Sequence, residues 1–140
     1  DGAVIDYNYV ESYIRNIPNM YKCKIKSICF DAYNSNQMMM NLAQDFEVVD
    51  IKQNYFNLNT PTKEFRNAVY LNKVKYEKSR LYTWCMSNAI TRTDAQENMM
   101  LDKKKSQNRI DLAVATIFSF KDVYTPEDTK QFNIDDVFIL

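Results

Sequence analysis

The chain has 140 residues, of which 46% are apolar and 26% are charged, the balance of an ordinary globular domain. It contains one glycine and no histidine. A single glycine excludes the glycine-rich loops that bind phosphates or dinucleotides and the glycine-flanked turn of serine hydrolases. The absence of histidine excludes Ser-His-Asp and Cys-His catalytic sites and histidine-based zinc sites. Any chemistry here therefore depends on carboxylates, lysines, hydroxyls and bound metal ions.

The 18 basic and 18 acidic residues give a net charge of zero, but they are unevenly distributed along the chain. Residues 62–80 carry six cations and two anions, and residues 103–111 carry four cations and one anion. Residues 121–140 carry two cations and five anions. The basic segments could hold a polyanion locally, whereas the overall charge gives no support for nucleic-acid binding.

The cysteines, the apolar runs and the first residue bear on where the protein works. Three cysteines without Cys-x-x-Cys spacing (Cys23, Cys29 and Cys85) predict reduced, mostly buried thiols of a cytosolic protein. The chain has no apolar run long enough for a membrane span, and its start lacks the pattern of a signal peptide. Because the chain begins at Asp1 without methionine, we expect a fragment of a longer protein, with processing as the alternative.

In the first half of the chain, apolar spacing predicts alternating helices and strands. A strand, a helix and a second strand follow one another within about 30 residues, which predicts a βαβ unit with parallel strands. The predicted elements are a helix over residues 7–16 that ends before Pro18, a strand over residues 24–30, a helix over residues 35–45 capped by Ser35 or Asn34, and a strand over residues 47–52.

The second half of the chain predicts three helices and a hairpin. The last helix is apolar around its whole axis, so we expect it to lie buried against the sheet. The predicted elements are a helix capped by Thr60 with Pro61 at its first position, a helix capped by Ser79, a hairpin over residues 89–102 with its turn at residues 94–98, and a helix from an Asn108 cap to about Phe120.

Several large apolar side chains are predicted to pack in the core and are assigned no chemistry. They are the methionine run at residues 38–40, the helical stripe of Phe65, Ala68 and Val69, and Trp84.

Two carboxylates stand out by their position. Asp31 follows a predicted parallel strand, where open α/β sheets bind their ligands, and Asp111 lies in the third position of the last helix. If that helix packs on the strand, the two carboxylates could share Mg²⁺ or Mn²⁺. An aspartate after a strand can equally begin a turn, and one in a first helical turn can simply complement the helix dipole. Spacing alone leaves both interpretations open.

Lys103, Lys104 and Lys105 form a run of cations followed closely by Arg109. Such a run is typical of a solvated surface. Beside a metal site it would instead contact phosphates and neutralise the charge that develops during their reaction. Both interpretations remain open on the spacing alone.

The ordered set of these segments resembles the nuclease domain of the large terminase subunit of tailed bacteriophages. The resemblance extends over about residues 5–120 in one order without large gaps. It is carried by an apolar strand ending in a carboxylate (28–31), a strand ending in glutamine (49–53), a proline-containing helix start (58–65), a Trp-to-Asn helix (81–88), and a hairpin followed by lysines and an Ile-Asp helix (94–111).

The resemblance implies an α/β fold of the ribonuclease-H-like type, with a mixed sheet flanked by helices. It also implies an endonuclease that cuts concatemeric double-stranded DNA, with carboxylates that hold two Mg²⁺ or Mn²⁺ ions about 3.5–4 Å apart. Asp31 matches the family's second carboxylate, Asp111 matches its last, and Lys103 matches the catalytic lysine before the final helix. Another ribonuclease-H-like enzyme, such as a resolvase, and a non-catalytic α/β interaction domain are the alternatives.

The resemblance also implies which residues contact DNA and which partners the protein has. The residues expected to contact DNA are Gln53, Lys63, Lys103, Lys104, Lys105 and Arg109. The expected partners are double-stranded phage DNA, the small terminase subunit and the portal, with an oligomer only in the assembled motor. We expect the protein in the cytoplasm of the host bacterium and away from membranes.

The chain departs from the family pattern at its start and at three glycine positions. The family's first carboxylate strand and Walker A loop are not seen, so we expect a partial nuclease domain over residues 1–121, truncated at its N-terminal side. An acidic tail over residues 122–140 follows, with Phe132, Ile134, Val137 and Phe138 as its docking residues. Asn54, Glu97 and Leu112 stand where the pattern has glycine, and the first two are expected to need strained or left-handed backbone.

Overall fold

The computed structural model describes residues 4–31 and 36–123, and the chain divides between Lys52 and Gln53 into two compact units. The expected caps of the second helix, Ser35 and Asn34, and the docking residues of the tail lie outside these ranges. The first unit contains α1 (Tyr7–Tyr21), β1 (Ile28–Phe30), α2 (Asn36–Leu42) and β2 (Val48–Asp50). The second unit contains α3 (Tyr55–Tyr70), α4 (Arg80–Ser87), β3 (Thr91–Thr93), β4 (Met99–Leu101) and α5 (Asp111–Val123).

The βαβ unit predicted for the first half of the chain is confirmed. Strands β1 and β2 pair in parallel, with Ile28 opposite Val48. Helix α2 connects them and buries Met38, Met39 and Leu42. The partly buried side chains that pack against these three residues are Val10, Ile14, Ile28, Phe30, Phe46 and Val48.

Helix α1 is longer than its sequence predicts, because it continues past Pro18 to Tyr21. Proline lacks a backbone N–H, so Pro18 cannot donate the hydrogen bond that an interior helical residue donates. Pro18 lies in the last turn of α1, so only a short piece of helix follows this missing bond. The helix begins at Asp6, whose carboxylate accepts hydrogen bonds from two backbone N–H groups of the first turn. It ends at Lys22, which adopts the left-handed conformation with a φ of 53°.

Helix α3 begins earlier than the Thr60–Pro61 start that the sequence predicts. Asn54 is its N-cap, and the side-chain oxygen of Asn54 accepts a hydrogen bond of 2.9 Å from the Asn57 N–H. Pro61 therefore lies inside the helix and forms part of its buried face. The buried residues of α3 are Leu58, Pro61, Thr62, Phe65 and Ala68.

Three side chains that the sequence assigns to the core lie at the surface. Met40 is 66% exposed, Val69 is 44% exposed and Trp84 is 43% exposed. Each stands beside a buried residue of the same helix: Met39, Ala68 or Cys85. Adjacent helical residues point about 100° apart, so the direct neighbour of a buried residue can face the solvent, as it does in these three pairs.

The expectation of mostly buried thiols is also wrong. Cys85 is buried, Cys29 is half-buried and Cys23 is exposed, and none of the three forms a disulfide.

The caps and the hairpin of the second unit follow the prediction more closely. Ser79 caps α4, because its hydroxyl accepts a hydrogen bond from the Tyr82 N–H. Strands β3 and β4 pair antiparallel, with Thr91 opposite Leu101. The turn between them contains Glu97 at a φ of 61°, as expected for a residue in place of glycine. Asn54, by contrast, has an extended backbone.

Helix α5 differs from its prediction in its start and in its burial. It begins at Asp111, the first helical residue, and not at an Asn108 cap, since the Asn108 side chain faces Asn88 at 3.5 Å. Ala115 and Ser119 are exposed, so the helix is not buried on all sides. Its buried residues are Ile110 at the start, Ala113, Ile117 and Phe118.

The packing of α5 explains this one-sided burial. Helix α5 packs against α3 and α4 in the second unit. The rings of Phe65 and Phe120 meet edge to face at 5.1 Å, and the Tyr82 hydroxyl lies 3.2 Å from the Thr116 hydroxyl. Two helical neighbours cover one side of a helix and leave the other side to solvent.

The strands of the described residues form two separate two-stranded sheets, one in each unit. The single mixed sheet of a ribonuclease-H-like domain is therefore not seen in residues 4–31 and 36–123. No helix in the described ranges is both long enough and apolar enough to cross a membrane.

Thr62 offers a test of the packing around α3. Its side chain is 3% exposed, and its hydroxyl has no hydrogen-bond partner within the described part of the chain. A buried hydroxyl without a partner is destabilising, so we expect Thr62→Val to raise the free energy of unfolding by about 1 kcal/mol. Denaturant unfolding measures this change. Thr60→Val, at an exposed position of the same helix, should have little effect, and a destabilised Thr62→Val protein would contradict the prediction.

Candidate functional site

Asp102 organises the turn that carries the lysine run. It directly follows β4 and is 6% exposed. Its carboxylate accepts hydrogen bonds from the backbone N–H groups of Lys104 at 2.9 Å and Lys105 at 3.2 Å. Its backbone N–H donates to the Ile90 carbonyl at 2.7 Å, and its carbonyl accepts from the Ser106 hydroxyl at 2.8 Å. One residue therefore ties the turn to the segment before β3.

This turn presents Lys103, Lys104 and Lys105 to solvent, and all three are exposed. Within residues 4–31 and 36–123, none of the three forms an ion pair. Their charges are thus available to an external anion such as a phosphate group. The solvated-surface and phosphate-binding interpretations both remain compatible with this geometry.

The charge state of Asp102 follows from its surroundings. Burial acts to raise the pKa of its carboxyl group. The N–H groups of Lys105 and Lys104 and the positive charges of Arg92 and Lys105 act in the opposite direction and outweigh burial. The pKa of Asp102 therefore lies below its ordinary value, so the folded turn favours the ionised carboxylate.

Asp94 plays the same part in the turn of the hairpin. Its carboxylate accepts hydrogen bonds from the Gln96 N–H at 3.0 Å, the Asn98 N–H at 2.9 Å and the Asn98 side-chain amide at 2.8 Å. The bond from the Asn98 side chain is the main cause that lowers the pKa of Asp94, and the charge of Lys63 on α3 contributes. Lys63, one of the predicted DNA contacts, thus lies beside this hairpin.

Arg109 and Asp111 flank the start of α5. Both side chains are exposed, and Asp111 occupies the first helical turn, where a negative charge complements the helix dipole. The Arg109 carbonyl accepts a hydrogen bond of 3.5 Å from the Asn88 side chain. The second unit thus places the lysine turn, Arg109 and Asp111 in one short stretch of chain.

Asp31 and Gln53 are placed by β1 and by the chain after β2. Asp31 directly follows β1 and is exposed, and Gln53 is half-buried next to the N-cap of α3. Asp31 belongs to the first unit, whereas Gln53 and Asp111 belong to the second. The pairing of Asp31 with Asp111 therefore stays a prediction.

The fit of a metal ion depends on the available oxygen ligands. Asp31 and Asp111 each offer a carboxylate, the ligand type that Mg²⁺ and Mn²⁺ prefer. In the part of the chain that the structure describes, no group of three or more acidic, cysteine or histidine side chains could hold a metal ion. Asp31 and Asp111 are therefore chemically suited to supply two ligands of a metal ion, and the described residues do not provide the further ligands of a complete site.

Asp102 and Asp94 are not among the residues to which the sequence alone assigns a role in the site. The signal was present, because each aspartate directly follows an apolar or β-branched strand and precedes a polar segment. Aspartate in such positions often accepts hydrogen bonds from N–H groups two and three residues later.

Comparisons with known proteins give a consistent result. The sequence matches the family described as "Terminase large subunit, endonuclease domain" over residues 1–127. Protein YmfN of Escherichia coli strain K12 is 28% identical over 140 residues, which cover 96% of this chain and 30% of that protein. The large terminase subunit of Enterobacteria phage HK97 is 26% identical over 121 residues, or 84% of this chain and 24% of that protein.

A solved structure supports the same relationship. The crystal structure of the HK97 bacteriophage large terminase matches 86% of this chain with a TM-score of 0.74 and 26% sequence identity. The match covers 26% of the HK97 chain. This chain therefore spans less than a third of the proteins that it resembles.

The Asp102 turn predicts a dependence of stability on pH. A lowered pKa in the folded state means that Asp102 stabilises the fold above its ordinary pKa of about 3.9, and that this contribution is lost as the pH falls through the lower folded value. We expect Asp102→Asn to lower the melting temperature at pH 7. We also expect the melting temperature of this variant to decrease less than that of the wild type as the pH is lowered. Thermal unfolding between pH 7 and pH 2 measures both.

Glu77→Gln is the matched control for Asp102→Asn, because Glu77 is an exposed residue in the loop between α3 and α4. It should leave both the melting temperature and its dependence on pH close to those of the wild type. Equal melting temperatures of Asp102→Asn and wild type at pH 7 would contradict the role given to Asp102.

Proposed function

Because the chain belongs to the endonuclease-domain family of terminase large subunits, we propose that it is the nuclease part of an enzyme that cuts double-stranded DNA concatemers during phage genome packaging. The observation that carries this proposal is the family match over residues 1–127, which includes both candidate carboxylates and the lysine turn. The HK97 large terminase, with its similar fold, supports it.

The proposed reaction is phosphodiester hydrolysis that depends on two Mg²⁺ or Mn²⁺ ions. Asp31 and Asp111 would each contribute a carboxylate ligand. When bound, such ions provide a nucleophile at neutral pH and stabilise the oxygen that leaves. The exposed position of Asp111 at the start of α5 is compatible with access by DNA.

Lys103 has an electrostatic part in this proposal. Its ammonium group would lie against the phosphate that reacts and stabilise the negative charge that develops there. Asp102 fixes the backbone of the turn through the N–H groups of Lys104 and Lys105. A preorganised cation needs little reorganisation during the reaction, which favours the transition state.

The remaining cations and polar groups would hold the DNA backbone. Lys104, Lys105 and Arg109 are exposed and lie in the segment of chain that leads to Asp111, whereas Gln53 and Lys63 belong to the chain before α3 and to α3 itself. Contacts of this kind fix the position of the duplex without reading its sequence. Their loss should weaken DNA binding and reduce its dependence on salt.

The family suggests further features of the whole protein. We propose that β1 and β2 belong to a mixed sheet of the ribonuclease-H-like type. We also propose that the protein acts in the cytoplasm of the host bacterium with the small terminase subunit and the portal, and that it forms oligomers in the assembled motor.

Asp111→Asn tests the proposed chemistry. In the longest natural form of the protein that contains this chain, we expect this variant to reduce Mn²⁺-dependent cleavage of plasmid DNA by at least about a hundredfold, because a metal ligand is lost. Gel analysis of nicked and linear plasmid measures the rate. Circular dichroism should show an unchanged fold, since the side chain is exposed.

Glu77→Gln serves as the control and should cleave at the wild-type rate. Cleavage by a folded Asp111→Asn protein at the wild-type rate would contradict the site. Absence of cleavage by the wild type with either metal would favour a non-catalytic interaction domain. A strong preference for four-way junctions over linear duplex would favour a resolvase.

A further inference from the structure

A cleft in the second unit has no part in the proposed hydrolysis. It has a volume of about 310 Å³ and is lined by Tyr55, Phe56, Asn59 and Asn98. It lies where the first turns of α3 meet the hairpin of β3 and β4. The Asn59 side chain holds the two elements together, because its oxygen accepts a hydrogen bond of 2.8 Å from the Met99 N–H. The cleft is thus built on hydrogen-bonded elements and not on a loose loop.

The aromatic side of the cleft is exposed to an unusual degree. Phe56 is 94% exposed, so its ring gains almost nothing from burial in the folded chain. The neighbouring ring of Tyr55 is half-buried, and the guanidinium of Arg92 lies 5.3 Å from its centre. This cation–π contact covers Tyr55 and brings a positive charge to the cleft. The Phe56 ring is available to a flat, apolar surface from outside.

The amide side of the cleft has one donor group and one acceptor group that make no hydrogen bond within the described residues. Asn59 uses its oxygen in the bond from Met99, and its amide nitrogen makes no hydrogen bond within the described ranges. Asn98 donates its amide nitrogen to Asp94, and its side-chain oxygen likewise accepts none from the residues described. A donor and an acceptor beside an aromatic ring match the polar edge and the flat face of a nucleobase.

Positive charge continues along the same face of α3. Phe56, Asn59 and Lys63 follow at intervals of three and four residues, which places them on one side of the helix. Arg66 lies three residues further, with its guanidinium 3.7 Å from the Met99 sulfur. Lys63 and Arg66 thus bring two positive charges to the helix that forms one side of the cleft, and Lys63 also lies near the Asp94 carboxylate.

We propose that this cleft binds a single-stranded segment of DNA, with a base stacked on Phe56 and the backbone beside Lys63 and Arg92. The bases of an intact duplex are already stacked on one another, so only an unpaired strand can offer a base to Phe56. The proposal rests on the proposed function for the choice of DNA as ligand, and it shares Lys63 with the proposed duplex contacts, whereas Phe56 has no part in the nuclease site.

The test measures binding of a short fluorescent thymidine oligonucleotide to the chain by anisotropy. We expect Phe56→Ala to weaken binding by about fivefold or more, because stacking of each base contributes substantially to affinity. Phe56→Trp should retain binding. Tyr70→Ala is the matched control, because Tyr70 is 76% exposed at the other end of the same helix, and its affinity should equal that of the wild type.

Three outcomes would overturn the proposal: no binding by the wild type, equal affinity of Phe56→Ala and wild type for the oligonucleotide, or an equal loss of affinity for a duplex of the same length on Phe56→Ala. Asp111→Asn separates this proposal from the proposed function. If Asp111→Asn loses cleavage while Phe56→Ala binds the oligonucleotide normally, the results contradict the cleft proposal and support the nuclease site. If Asp111→Asn cleaves normally while Phe56→Ala no longer binds the oligonucleotide, the results support the cleft proposal and contradict the nuclease site.

Discussion

The packing of α3 against α5 is the contact on which the second unit depends. The edge-to-face rings of Phe65 and Phe120 lie in this contact, and the Lys121 ammonium reaches across it to the Asn57 side chain at 2.9 Å. Helix α3 in turn holds the hairpin through the bond from Met99 to Asn59. The end of α5, the hairpin and the first turns of α3 therefore keep fixed positions in one small unit.

Carboxylates shape the surface of this unit as much as apolar packing does. Asp94 and Asp102 each gather backbone N–H groups of the following turn, where a chain with more glycine could use other turn geometries. Both side chains face cations, Lys63 in one case and Arg92 in the other. The anions are thus engaged in holding backbone, while the exposed lysines of the turn remain without ion pairs in the described chain. A chain with no net charge can present a cationic surface in this way.

The sequence predicted the parts of the fold that depend on local pattern. The parallel pairing of β1 with β2, the Ser79 cap and the hairpin turn all follow from spacing and turn chemistry. It failed where tertiary packing decides, as in the burial of α5 and the passage of α3 through Pro61. For the site, the family resemblance was confirmed, whereas the roles of individual residues remain predictions. The meeting of Asp31 and Asp111 depends on how distant segments come together, which spacing cannot specify.

Glu97 illustrates a consequence of the nearly complete lack of glycine. Three other residue types adopt positive φ in the described chain, at Lys22, Asn72 and Glu97. At Lys22 and Glu97 this conformation strains the folded state by about 1–2 kcal/mol, whereas asparagine tolerates it better. Glycine would remove that strain but would give the unfolded chain more conformational freedom to lose, a penalty of about 0.5–1 kcal/mol. The entropic penalty offsets about half of the strain, so a non-glycine residue at such a turn costs the chain roughly 0.5–1 kcal/mol relative to glycine.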